Sequence, residues 1–191
     1  MTVNRTSDPD GHSAGETSDA RLEAAAALRR LGNAFVAHQI DDAFLQEITT
    51  HIDALTPIIE QAPDRAHAFL AHGAGLFAAR LQGDAGSPPD SVFPDCVVSG
   101  KANPMGMEAS MWRDGEEATM EVSLGAAFEG APGRAHGGVV AALIDETMGL
   151  VLSISGTPAF TGKLAVTYRA PTPLGVPLTA RALWHIGAPV S

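Results

Sequence analysis

The stretch GRAHGGVVAALIDETMG, residues 133–149, holds the densest set of groups able to do chemistry: His136 among glycines, then an apolar run interrupted by Asp145 and Glu146. Gly133, Gly137 and Gly138 read as a loop that opens a helix. The first N–H groups of such a helix lack intrahelical partners and form an electropositive donor site. Glycine lets a ligand approach that backbone closely, because no Cβ stands in the way. A carboxylate in the middle of an apolar helix is costly to bury without a purpose or a partner, which makes Asp145 a candidate general base. Two adjacent acids lie about 100° apart around a helix, so one of them can equally face solvent. His136 has a plain alternative too, a loop histidine hydrogen-bonded to backbone.

These groups need elements to hold them. Residues 139–152 are apolar on almost every face, the mark of a central helix. Ahead of it, Met120, Val122 and Leu124 alternate with Thr119, Glu121 and Ser123, and Asp114-Gly115 offers the positive φ angles of a tight turn. This predicts a β-hairpin over residues 107–124. Strands are expected at 159–169 and 177–186, with Pro171 and Pro173 as punctuation between them. Residues 21–81 are helical in pattern. Phe44 or Leu45, Ile48, Ile52, Leu55 and Ile59 form one apolar stripe, and Asp41 and Asp42 suit the start of that helix. An earlier helix is expected at 21–38 and a third at 63–81. His38, His51, His67 and His72 fall in this region, but no pair has the i, i+4 spacing of two ligands on one face, so no metal is expected. Gly, Pro, Ser and Asp crowd residues 82–106, a loop or linker.

The organisation predicted is therefore a disordered tail at 1–20, a helical extension at 21–81, a linker at 82–106 and an α+β domain at 107–191. A chain of 191 residues with net charge -10 and pI near 5.0 argues against nucleic acid or an anionic membrane as main partner. Cys96 is alone, so it forms no intrachain disulfide and reads as a small packing residue. The first twenty residues lack the apolar segment of a signal peptide, and the apolar run at 139–144 is broken by acids well short of a membrane span. A cytoplasmic protein is expected. There is no phosphate-binding GxxxxGK[ST] loop and no Gly-x-Ser-x-Gly elbow.

FEGAPGRAHGGVVAALIDETMG followed by AFTGKLAVTYRAPTPLG resembles the hotdog-fold acyl-CoA thioesterases, in particular the phenylacetate-pathway (PaaI-like) and THEM-type group with an His-Gly-Gly motif. The resemblance covers about residues 95–186. It implies a long helix wrapped by an antiparallel sheet, two subunits whose sheets join, and hydrolysis of an acyl-CoA without cofactor or metal. Residue by residue, it implies that the Gly137 N–H binds the thioester carbonyl, that Asp145 acts as base or nucleophile, and that Thr161 places the water or the base. His136, Gly138 and Gly162 join the expected substrate-binding set, and because an acidic chain needs local cations to hold the CoA phosphates, Lys163, Arg169 and Arg134 are the candidates for that role. Geometry adds a reason for pairing. Gly137 and Asp145 are eight residues apart, about 12 Å along one helix. One carbonyl cannot meet both unless two helices run antiparallel across a two-fold axis, so a homodimer or homotetramer is expected.

Two features depart from the family. Some relatives carry an Asn six residues before the His, where this chain has Gly130. Hotdog domains also continue with further strands after the one expected to end near residue 186, so the sheet is expected to be incomplete. An enoyl-CoA hydratase of the same fold would need an Asp shortly before His136, and residues 117–135 contain none. A non-catalytic acyl-CoA-binding module remains the alternative of another class. It would keep the Gly137 donor without needing Asp145.

Overall fold

The computed structural model describes residues 17–64, 93–155 and 160–183. Helix α1 runs Asp19–Ala37 and α2 runs Asp42–Glu60. Both open on side-chain caps: Ser18 accepts from the Arg21 N–H and Asp41 from the Phe44 N–H, each satisfying a donor that the helix itself cannot. These two helices agree with the sequence pattern to within a few residues. The tail expected at 1–20 is corrected at its end, where residues 17–20 hold the Ser18 cap and the start of α1. Its remainder, up to residue 16, and the third helix, beyond Asp64, lie outside the described residues.

Strand β1 (Ser110–Asp114) and β2 (Glu117–Ser123) form the expected hairpin, with Met111 opposite Met120 and Asp114 opposite Glu117. The loop is Gly115-Glu116 rather than Asp114-Gly115. Gly115 alone takes positive φ, +60°, the first-position glycine of a II′-type turn. Strand β3 (Pro177–Leu183) pairs antiparallel with β2, giving the order β1-β2-β3. Residues 184–186 of the expected strand lie outside the described residues.

Helix α3 (Gly137–Ser155) lies across this sheet. Leu143, Thr147, Leu150 and Val151 are its buried stripe, set against Met111, Ala118, Met120 and Val122. Thr147 tolerates burial because its hydroxyl donates to the Leu143 carbonyl at 2.7 Å. Of the loop expected at 82–106, residues 93–106 are described. They are turns without helix or strand, and they lie against the core through Val98, which is 3% exposed.

One expectation fails. Residues 160–170 do not form a strand. Leu164, Val166 and Tyr168 alternate as a pleat requires, but a strand exists only where a neighbour completes its hydrogen-bond ladder. Among the described residues none does. Among the described residues the segment instead makes two side-chain hydrogen bonds to α3. Among the described residues no helix is long and apolar enough to cross a membrane.

Candidate active site

An α-helix leaves its first four N–H groups without intrahelical acceptors, and at α3 each of them can be traced. The groups are those of His136, Gly137, Gly138 and Val139. The His136 N–H donates to the Phe128 carbonyl at 2.9 Å, and the Val139 N–H to the His136 carbonyl at 3.0 Å. The Gly138 N–H donates to Nδ1 of His136 at 3.0 Å, so the imidazole itself caps the helix. Only the Gly137 N–H has no acceptor among the described residues. The one free donor is thus singled out by pairing of its neighbours, and the positive end of the helix lies behind it.

The cap also fixes the ring. With Nδ1 accepting, neutral His136 carries its proton on Nε2 and presents a donor there. Gly138 permits the ring to fold back, since a Cβ on it would lie 3.1 Å from Nδ1. His136 is therefore bonded to backbone, as its plain alternative held, while its other nitrogen stays available.

The two adjacent carboxylates have separate fates. Glu146 accepts from the Ser99 hydroxyl at 2.6 Å and from the Cys96 thiol at 3.3 Å. It ties α3 to the loop around Val98, and its role is structural. Asp145, half-buried, accepts from the Thr161 hydroxyl at 2.7 Å through Oδ1. That bond is the first point at which the 160–170 segment meets α3. Oδ2 has no partner among the described residues.

At the second point, the Tyr168 hydroxyl donates to the Gly137 carbonyl at 2.7 Å, and its ring lies over the open face of Gly137. Tyr168 lies in the segment AFTGKLAVTYRAPTPLG, but its residue type and spacing point to no role. Its contact spans 31 positions, and no local spacing reveals it.

A cleft of about 450 Å3 opens beside this helix end, walled by Arg134, His136, Gly137, Tyr168, Arg169 and Pro171 among others. No Asp or Glu lines it, in a chain whose net charge is -10. Arg134 and Arg169 form no salt bridge among the described residues, so two free cations face the same space. Of the expected substrate-binding set, the structure brings Arg134, His136 and Arg169 together with Gly137. Gly138 adjoins them but does not line the cleft, and Gly162 and Lys163 sit exposed at the Asp145 end beside Thr161. A second hollow of about 330 Å3 runs between α3 and β3, with Leu143, Ile144, Met148, Leu178 and Ala180 on its walls. Among the described residues no group of three His, Cys, Asp or Glu could hold a metal ion.

Gly130 has a steric explanation. A Cβ there would sit 2.7 Å from the His136 Cα and 3.1 Å from its Cβ. The loop passes so close to His136 that the Asn found in some relatives has no room.

Three comparisons bear on this arrangement. Residues 132–184, from the loop before α3 through β3, match the thioesterase superfamily family model. A crystal structure described as that of a thioesterase superfamily protein superposes with a TM-score of 0.64 at 24% identity, over 89% of this chain and 80% of the other. No curated protein matches. A match over 89% of the chain necessarily takes in helices ahead of the sheet. The fold is the α+β hotdog fold, an antiparallel sheet packed on a long helix.

Proposed function

We propose that the protein is a thioester hydrolase acting on an acyl-CoA, of the His-Gly-Gly type found in the phenylacetate-pathway and THEM-type group. The observation that carries this reading is the unpaired Gly137 N–H at the start of α3, on the same helix as a carboxylate oriented by Thr161. Asp145 draws a proton from water as the water oxygen attacks the thioester carbon. The carbonyl oxygen becomes an oxyanion held by the Gly137 N–H, a preorganised donor whose loss typically costs about 10²–10³ in rate. Collapse of the intermediate breaks the C–S bond. The leaving CoA thiolate takes up the proton from Asp145, and the free acid departs. The Arg134 and Arg169 guanidiniums suit the CoA phosphates, and the hollow between α3 and β3, mainly apolar but with Arg181 and three threonines on its wall, suits an acyl group. No metal or cofactor takes part in this scheme.

The two groups are about 12 Å apart along one helix, so the site is composite: Gly137 of one copy works with Asp145 of another in a homodimer or a larger homo-oligomer. The site as a whole is tested by subunit mixing. Asp145→Asn and Gly137→Pro are each expected to be inactive, the first through kcat far more than KM. Folded and exchanged together, they should regain roughly a quarter of wild-type activity, because each mixed dimer has one site with both lesions and one with neither. Wild-type protein that binds acyl-CoA without turnover would instead establish the non-catalytic binding module. Turnover without complementation would require a site within one subunit.

A further inference from the structure

The peptide joining Gly137 to Gly138 is hydrogen-bonded at both ends. Its carbonyl accepts from the Tyr168 hydroxyl at 2.7 Å, and its N–H donates to Nδ1 of His136 at 3.0 Å. The peptide is planar, so fixing one end fixes the other. Hydrogen bonds in series also polarise one another, a carbonyl that accepts making its own N–H a better donor. A phenol and an imidazole are thereby coupled through two glycines, residues that offer the backbone little restraint of their own.

We infer that Tyr168 is a positioning residue: its hydroxyl pins the Gly137–Gly138 peptide, which holds His136 in the Nε2–H tautomer and keeps the free Gly137 N–H in one orientation. The consequence for catalysis rests on the thioester-hydrolase reading above. The coupling itself does not. Tyr168 is an exposed side chain whose described contacts are with α3 and the cleft wall, so its hydroxyl contributes little to the core. The two orphan-donor positions it governs, Gly137 and Gly138, are the middle pair of the four at this helix start. Without the phenol, nothing among the described residues restrains the carbonyl of Gly137 from outside the helix.

The test uses the full chain and two measurements. In wild-type protein, 15N spectra of the imidazoles, with the His136 signals identified by their loss in His136→Gln, should show His136 protonated at Nε2 and bare at Nδ1. In Tyr168→Phe the same signals should move toward the averaged tautomer pattern of a free histidine. With an acyl-CoA substrate, kcat of Tyr168→Phe should fall about fivefold, the rate equivalent of one ordinary hydrogen bond, with KM within about twofold. A wild-type His136 carrying its proton on Nδ1, or unchanged imidazole signals in the Phe variant, would overturn the coupling. A tautomer shift with unchanged kcat would overturn the link to catalysis. Absence of turnover in wild-type protein would count against the hydrolase reading while leaving the imidazole measurement to decide the coupling.

Discussion

Helices α1 and α2 are equal in length, 19 residues each, and both begin on a side-chain cap. In sequence, α2 has the cleaner apolar stripe. In the structure α2 buries no residue, and Phe44, Ile52, Leu55, Ile58 and Ile59 are all exposed among the described residues. Among the described residues helix α1, whose stripe is less distinct, is the one joined to the domain. Arg29 is 8% exposed and donates to the carbonyls of Lys101 and Asn103 at 2.8 Å each and to the Glu108 carboxylate at 3.1 Å. One turn on, Asn33 accepts from the Ala127 N–H at 3.1 Å. An apolar face makes a helix prefer some partner, but it does not choose which. A guanidinium meeting three acceptors in fixed directions does choose, because the fork fits one arrangement only.

The contrast has functional weight. Ala127 belongs to the 3-10 turn Ala126–Phe128, and the Phe128 carbonyl receives the His136 N–H. Helix α1 therefore supports the loop that leads into the candidate site. Gly125 opens that turn, and a Cβ there would collide with the Asn33 amide.

The largest expected effect comes from cutting α1 loose. Arg29→Ala leaves two carbonyls and a carboxylate without their donor in a partly buried place, and should cost about 3 kcal/mol in denaturant unfolding. A loss under about 1 kcal/mol would mean that α1 is held by something other than Arg29, and the contrast between the helices would collapse. Next comes Asn33→Ala, which gives up two backbone contacts, the acceptor of the Ala127 N–H and the donor to the Arg29 carbonyl, at about 1 kcal/mol together. It should also lower turnover, through the loop, and Asn33→Asp, which keeps the accepting oxygen, should restore most of both. If Ala and Asp behave alike, the bond to Ala127 is not what connects α1 to the site. The smallest effect is expected on α2. Changing Ile52, Leu55 and Ile59 together to Gln should alter stability by no more than about 0.5 kcal/mol per site, as for ordinary exposed positions. A larger loss would show that the stripe of α2 has a partner, and would turn the contrast into one between two kinds of docking.

What could be read from the sequence follows the range of each interaction. The cap at Asp41, the hairpin at Gly115 and the helix after His136 depend on residues within a few positions, and period and spacing carry them, whereas the Ser18 cap falls in the stretch expected as a disordered tail. The residues alone mark only a donor site at the helix start; Gly137 within it is what the family resemblance implies, and the neighbouring N–H groups that leave it free are paired in the adjoining loop and turn. The strand expected at 159–169 is absent from the described residues 160–169 because alternation describes a surface to be paired, whereas pairing depends on a distant neighbour. Telling Glu146 from Asp145 required Ser99, 47 positions away, and the place of Tyr168 required a helix 31 positions back. The clash that keeps position 130 a glycine involves the backbone of His136, which no residue type announces.

The hydrogen bond from Tyr168 to Gly137 has a practical consequence, because Tyr168 is the only tyrosine in the chain. Growth on tyrosine labelled with 13C at Cζ alone would place a single isotope signal in the protein, at the cleft wall between Arg169 and the helix start. Arrival of a ligand, assembly of subunits or opening of the cleft would then be read from one resonance, with no assignment and no introduced probe.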